Sequence, residues 1–238
     1  MKTNILLVYI SIFLLQSCAM SEQKRKENEE KSKKLIEETR AFLAQDSINT
    51  IEQDKAFGDI LFGISENSYN NLKEIFLNKS KDGYVVDKRG YSRDSYLLGN
   101  YRFSYIAASF HNDSLYEVIF FGQPEVEYDY YDFKMKKQYN TLFSILRVKY
   151  GEPFYSNFPN RSSLVKDDTI DLCTWLIKKK RVQIEIYFDG EYATLWLRIF
   201  LPEIKEMVDK EQEMKDRVLK REREMKEFET AKKAAEIL

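Results

Sequence analysis

Apolar and polar positions alternate most strictly between residues 172 and 199. Leu172 to Ile177 reads as one strand, and Val182, Ile184, Ile186 and Phe188 then alternate with Gln183, Glu185 and Tyr187. Ala193, Leu195, Leu197 and Ile199 follow on one face, with Trp196 and Arg198 on the other. A repeat of two sends successive side chains to opposite faces of a strand. With Asp189-Gly190 as a hairpin turn, this stretch predicts a three-stranded meander buried on one face. Tyr101 to Phe110 and Leu115 to Phe121 flank the turn formers His111-Asn112-Asp113-Ser114 and predict a further hairpin. Ile60, Phe62 and Ile64 predict a short strand. Asp82-Gly83 reads as a turn, residues 83–99 as an irregular loop with one edge strand, and 155–170 as a polar loop.

Elsewhere the period lengthens to that of a helix. Tyr69, Leu72, Ile75 and Phe76 share one face, with Ser65 placed to cap the helix. Tyr139, Leu142, Phe143, Leu146 and Tyr150 share another, with Gly151 at the C′ position and Pro153 beyond it. Leu35, Ile36, Phe42 and Leu43 predict a short helix near 33–45. Pro202 suits a first helical position, and Ile204, Met207, Met214, Val218, Met225 and Phe228 follow in steps of three and four, interrupted by Glu211 and Arg221. Four i,i+4 pairs such as Glu206–Lys210 support a helix near 202–236.

The resulting order is strand, helix, hairpin, helix, three strands, long helix. It predicts an α+β fold: an antiparallel sheet of hairpins and a three-stranded meander packed with helices, plus a long charged C-terminal helix. The α+β domain spans 57–201 and the amphipathic helix 202–238. Tyr69-Asn70-Asn71-Leu72 and Tyr139-Asn140-Thr141-Leu142 form a four-residue echo, each on a helix that precedes a hairpin.

The N-terminus carries an address. Lys2 precedes an apolar run from Ile5 to Leu15, too short to span a bilayer and of the length of a signal-peptide core. Leu15-Gln16-Ser17-Cys18 resembles the lipobox of bacterial lipoproteins, although Gln16 departs from the usual small or β-branched residue. The resemblance implies a signal peptide over 1–17, lipid on Cys18, and a tether with a short helix over 18–45. It implies a cell-envelope protein on a membrane: Ala19, not an aspartate, after the cysteine favours the outer membrane, and the only weakly acidic Met20-Ser21-Glu22-Gln23-Lys24 that follows favours its periplasmic face. Over 57–201, Phe62-Gly63-Ile64-Ser65 and Lys149-Tyr150-Gly151-Glu152-Pro153, each bounding a helix, resemble small outer-membrane assembly lipoproteins of the small-protein-A type and the β-lactamase-inhibitor-like fold. That likeness implies protein binding or scaffolding and no reaction.

Composition narrows the chemistry. Thirty-eight basic residues balance 39 acidic ones, which argues against a nucleic-acid partner. Cys18, Cys173 and His111 are too few for a familiar zinc site, and no cofactor motif appears. Cys173, in an apolar strand, reads as an inert buried thiol, and His111 as an exposed turn residue. Lys178-Lys179-Lys180-Arg181 reads as a solvated hairpin tip. The acidic run Glu125 to Asp132 offers Tyr128, Tyr130 and Tyr131 as interaction residues, with Asp129 or Asp132 as a helix cap. Val218, Met225 and Phe228 offer a second surface, for another envelope protein or for self-association. No nucleophile–base pair or spaced carboxylate pair marks catalysis. The expected function is therefore protein binding or scaffolding without catalysis. The alternatives are an envelope hydrolase and a small-ligand-binding periplasmic lipoprotein.

Overall fold

In a computed structural model of the chain, the described residues are 30–31, 33–34, 50, 52–86, 89–123 and 125–235. The signal peptide, Cys18, the tether and nearly all of the helix expected near 33–45 lie outside them. Residues 49–238 form one compact unit, separate from residues 1–48, and the description concerns that unit.

The fold is α+β. A two-stranded ribbon, β1 (Lys55–Phe57) and β2 (Ile60–Leu61), leads into helix α1 (Glu66–Ser80). Strands β3 (Lys81–Val86), β4 (Ser92–Leu98), β5 (Tyr101–His111) and β6 (Ser114–Gly122) follow. A short β7 (Val126–Glu127), a 3-10 turn and a π-turn carry the chain into α2 (Lys136–Tyr150). Then come β8 (Tyr155–Ser156), β9 (Asp168–Ile177), β10 (Lys180–Phe188), β11 (Tyr192–Phe200) and the long α3 (Pro202–Ala235). All pairings are antiparallel, in the order β3-β4-β5-β6-β11-β10-β9-β8, with β7 beside β11. Each helix-plus-meander thus ends on a central strand, and the two halves meet where β6 pairs with β11. The four-residue echo falls at equivalent places: Tyr69 and Tyr139 are both buried, one on α1 and one on α2.

Local chemistry sets the boundaries. The Ser65 hydroxyl accepts from the Ser68 amide at 3.3 Å, capping α1. Gly151 ends α2 at φ 79°, where its amide reaches the Arg147 carbonyl. Asn112 and Asp113 both take positive φ in the β5–β6 turn, as a tight hairpin of this type demands. At Gly122 the chain runs so close to the Tyr101 hydroxyl and the Leu195 carbonyl that any Cβ would collide with both.

One face of the sheet is the core. Val118 and Phe120 of β6, Val182, Ile184 and Ile186 of β10 and Leu195 and Leu197 of β11 are completely buried, with Tyr69, Leu142 and Leu146 of the helices in the same cluster. The meander therefore buries the face that the alternation assigns to it. Cys173 is buried too, and burial pushes its thiol up to about 11.

Four expectations need correction. Residues 81–86 and 92–98 form two strands, not a loop with one edge strand; Gly83 sits at φ 76° at a bulge within β3, not in a chain-reversing turn. Ile75 is exposed, because the sheet reaches only the Tyr69–Leu72–Phe76 side of α1. The acidic run supplies no side-chain cap to α2; the 3-10 and π-turns wind directly into it. Lys180 is not at a solvated tip. It is 1% exposed, and its ammonium donates to the carbonyls of Glu52 at 2.6 Å and Lys55 at 2.9 Å. Burial pulls its pKa down to about 8 despite Glu52 nearby. Together with the Lys179–Asp54 ion pair it clasps residues 52–55 to the β9–β10 turn, while the Lys149–Glu52 pair ties them to the end of α2.

Leu197 lies in the centre of this core, and Val148, on the outer side of α2, is 90% exposed. Leu197→Ala should therefore cost about 2–5 kcal/mol in urea unfolding, while Val148→Ala stays within about 0.5 kcal/mol. Equal small effects at both positions would show that the sheet buries the other face.

Candidate functional site: the outer face of the sheet

The strand repeat that buries one face presents the other, opposite α1 and α2. On it four rings from four successive strands form a row: Tyr105 (β5), Phe121 (β6), Trp196 (β11) and Tyr187 (β10). Their centroids are separated by 5.7 Å, 5.0 Å and 5.1 Å in that order. Tyr105↔Phe121 and Phe121↔Trp196 are directly paired residues, so register alone aligns three of the rings. Tyr187 stacks on Trp196 with planes 15° apart. Tyr105 is 58% exposed and the other three rings are half-buried.

Beside the rings runs a charged group. Arg198 contacts Glu185 at 3.1 Å and Glu117 at 3.4 Å. The Ser109 hydroxyl donates to Glu117 at 2.8 Å. A bulge opposite Ser109 turns β6 at this point, and the Leu201 amide bonds the Tyr116 carbonyl, so α3 starts from the same corner. Glu185 is 1% exposed. Burial pushes its carboxyl up to about 7, against the pull of Arg198. Glu117 Oε1, Glu185 Oε2, Arg198 Nε and Trp196 Nε1 are buried without a hydrogen-bond partner. Glu117 Oε1 and Arg198 Nε face each other as an ion pair at 3.4 Å, whereas Glu185 Oε2 and Trp196 Nε1 are left without a protein partner, and buried polar groups normally find one. Two carboxylates share one guanidinium here.

The sites expected from sequence separate. Tyr131 is fully buried against Phe158, its hydroxyl on the Pro159 carbonyl, so it is a core residue and not a surface one. Tyr128 is half-buried, with its ring 5.4 Å from Phe188 and the Arg161 guanidinium over it. Tyr130 remains 49% exposed under Lys134. An open hollow nearby, lined by Asp132, Phe133, Lys136, Lys137 and Asn140, has no buried polar group in its lining. Val218, Met225 and Phe228 are exposed on α3. His111 sits on the β5–β6 turn, its ring nitrogen 3.0 Å from the Asn112 amide. Among the described residues no three His, Cys, Asp or Glu side chains converge on a metal position, and no helix is long and apolar enough to cross a membrane.

The outer face was missed because each of its residues is ordinary alone. A usable signal did exist: the Asp189-Gly190 turn fixes the β10–β11 register, which sets Glu185 diagonal to Arg198 and opposite Trp196. Comparison with protein-family models, curated proteins and solved structures finds no match for this chain.

The acid–base state of Glu185 is testable. Its folded value lies above the 4.5 of a free glutamate. Its protonated form therefore adds stability that is complete below that value and lost as pH rises through about 7. Glu185→Gln should gain roughly 2–3 kcal/mol relative to the native chain between about pH 5 and pH 8. A pH-independent difference between the two would contradict the burial account.

Proposed function

We propose that this chain is a non-catalytic binding protein, held in a bacterial envelope by lipid on Cys18, that grips a protein partner with the outer face of its sheet. The observation that carries the reading is the Tyr105–Phe121–Trp196–Tyr187 row. Binding hot spots are enriched in Trp and Tyr, which bury large area at small entropic cost. A ridge of rings spanning four strands is a rigid platform for such contacts. Tyr187 and Trp196 spend one face each on the other, so the row presents ring edges, which suit interdigitating side chains better than a flat sugar ring.

The charge beneath the row favours a basic partner surface. Above about pH 7, where Glu185 is ionised, Glu117, Glu185 and the paired Asp171 outnumber Arg198 and Lys205. A Lys or Arg of the partner over these rings would gain from both the field and the cation–π contact. The clasp at Lys180 gives the tether a firm point of attachment: a pull on residues 52–55 is taken up by the β9–β10 turn rather than by a loose end.

The test is affinity capture from solubilised membranes of the native host, with the full chain as bait. The native chain should carry radiolabelled palmitate and retain a discrete protein. Cys18→Ser should lose the label. Tyr105→Ala and Trp196→Ala should keep the label but lose the protein, whereas Phe133→Ala, exposed on the helix side, should keep both. Retention unchanged by Tyr105→Ala and Trp196→Ala would remove the sheet face from the account.

A further inference from the structure

Beyond its first turns α3 leaves the domain. Met214, Val218, Met225 and Phe228 are 59%, 54%, 60% and 72% exposed, respectively, and nothing in the described part of the chain covers them. The steps along this stripe are Ile204, Met207, Glu211, Met214, Val218, Arg221, Met225 and Phe228. They alternate by three and four without a skip, the a and d positions of a coiled coil over about three heptads. Six of the eight positions are apolar. The other two are one acid and one base.

We infer that the occupant of this stripe is α3 of a second copy of the same chain, running antiparallel about a two-fold axis level with Asp216. The two interruptions decide it. In an antiparallel pair each a position faces a d position of the other helix. With the axis at Asp216, Glu211 faces Arg221 of the second copy, and Arg221 faces its Glu211. The same register sets Met214 against Val218, Met207 against Met225, and Ile204 against Phe228, so every apolar residue meets an apolar one. Moving the register by one heptad puts Glu211 against Met214 or against Phe228. A parallel pair puts Glu211 against Glu211 and Arg221 against Arg221. One arrangement alone satisfies all eight positions, and it closes on itself as a dimer.

The flanks do not compete with this choice. Lys210 falls beside Glu224 of the second copy, while Lys215 and Arg217 meet their own counterparts near the axis, exposed to water where like charges cost little. The interior ion pairs act as the register device: a polar pair inside an apolar seam is tolerated where it matches and is costly where it does not. Met207 is 44% exposed at the point where α3 leaves the domain, and Ile204 is half-buried, so Phe228 of the second copy would lie against the base of the first helix. This pairing uses no residue of the aromatic row and stands whether or not that row binds a protein.

The experiment mixes two differently tagged full-length copies in mild detergent and reads co-purification and sedimentation mass. Arg221 is exposed and Glu211 half-buried on the helix, and far-ultraviolet circular dichroism together with the melting temperature checks that substitutions at both leave the fold intact. The native chain should be a dimer. Glu211→Arg alone and Arg221→Glu alone should each weaken it at least about tenfold, because each sets like charges face to face twice. The double variant Glu211→Arg/Arg221→Glu should dimerise again. An equimolar mixture of the two single variants should form a heterodimer, since both facing pairs then have opposite sign. A monomeric native chain overturns the inference, as do single variants that dimerise like the native chain, or a mixture that stays monomeric.

Discussion

The pairing of β6 with β11 is the constraint on which the rest of the molecule depends. Each half, a helix followed by antiparallel strands, ends on a strand with one free edge. An unpaired edge is a liability, and a few strands with one helix enclose little core. Joining the two edges solves both problems. It sets Val118 beside Ile199 and Phe120 beside Leu197 on the core side, where α1 and α2 close over a single apolar cluster. It also sets Phe121 beside Trp196 and Ile119 beside Arg198 on the other side. The core and the candidate site are therefore two consequences of one register. A slip of one residue would turn the apolar set outward and break the aromatic row at once.

How far the sequence discloses this varies with the kind of signal. The meander was legible because alternation is strict over 182–199 and the Asp189-Gly190 turn joins its last two strands. The α2 face and its Gly151 stop were legible for similar reasons. Strands β3 and β4 were not, since an edge pair that is exposed on both faces over most of its length leaves no periodicity to read. Tyr131 reads as a surface tyrosine among acids because the π-turn that swings it inward has no pattern of its own. Lys180 sits in a run of four cations, and only the carbonyls of Glu52 and Lys55, distant in sequence, distinguish it from its neighbours. Glu185 looks like an outward polar residue until strand pairing supplies Arg198 and Glu117.

The outer face departs from what folding alone would select. A buried glutamate with one unbonded oxygen, a guanidinium shared between two acids and an unbonded indole nitrogen all weaken a structure whose core is otherwise closely packed. Such departures concentrate where a surface serves something beyond its own fold. The long charged α3 starts from the same corner of the sheet yet carries its apolar stripe away from it. The domain thus offers two separate surfaces: a rigid one built by cross-strand register and an extended one built by helical repeat.

The claim at the centre of this account is that the face created by the β6–β11 register meets a partner. Site-specific photo-crosslinking in the native host examines it most directly. A benzophenone side chain placed at Tyr105 lies on the row, and one at Val148, also exposed but on α2, lies on the far side of the sheet. The account predicts a discrete protein adduct from position 105 and none from position 148. Adducts from 148 alone, or from neither position, would contradict it.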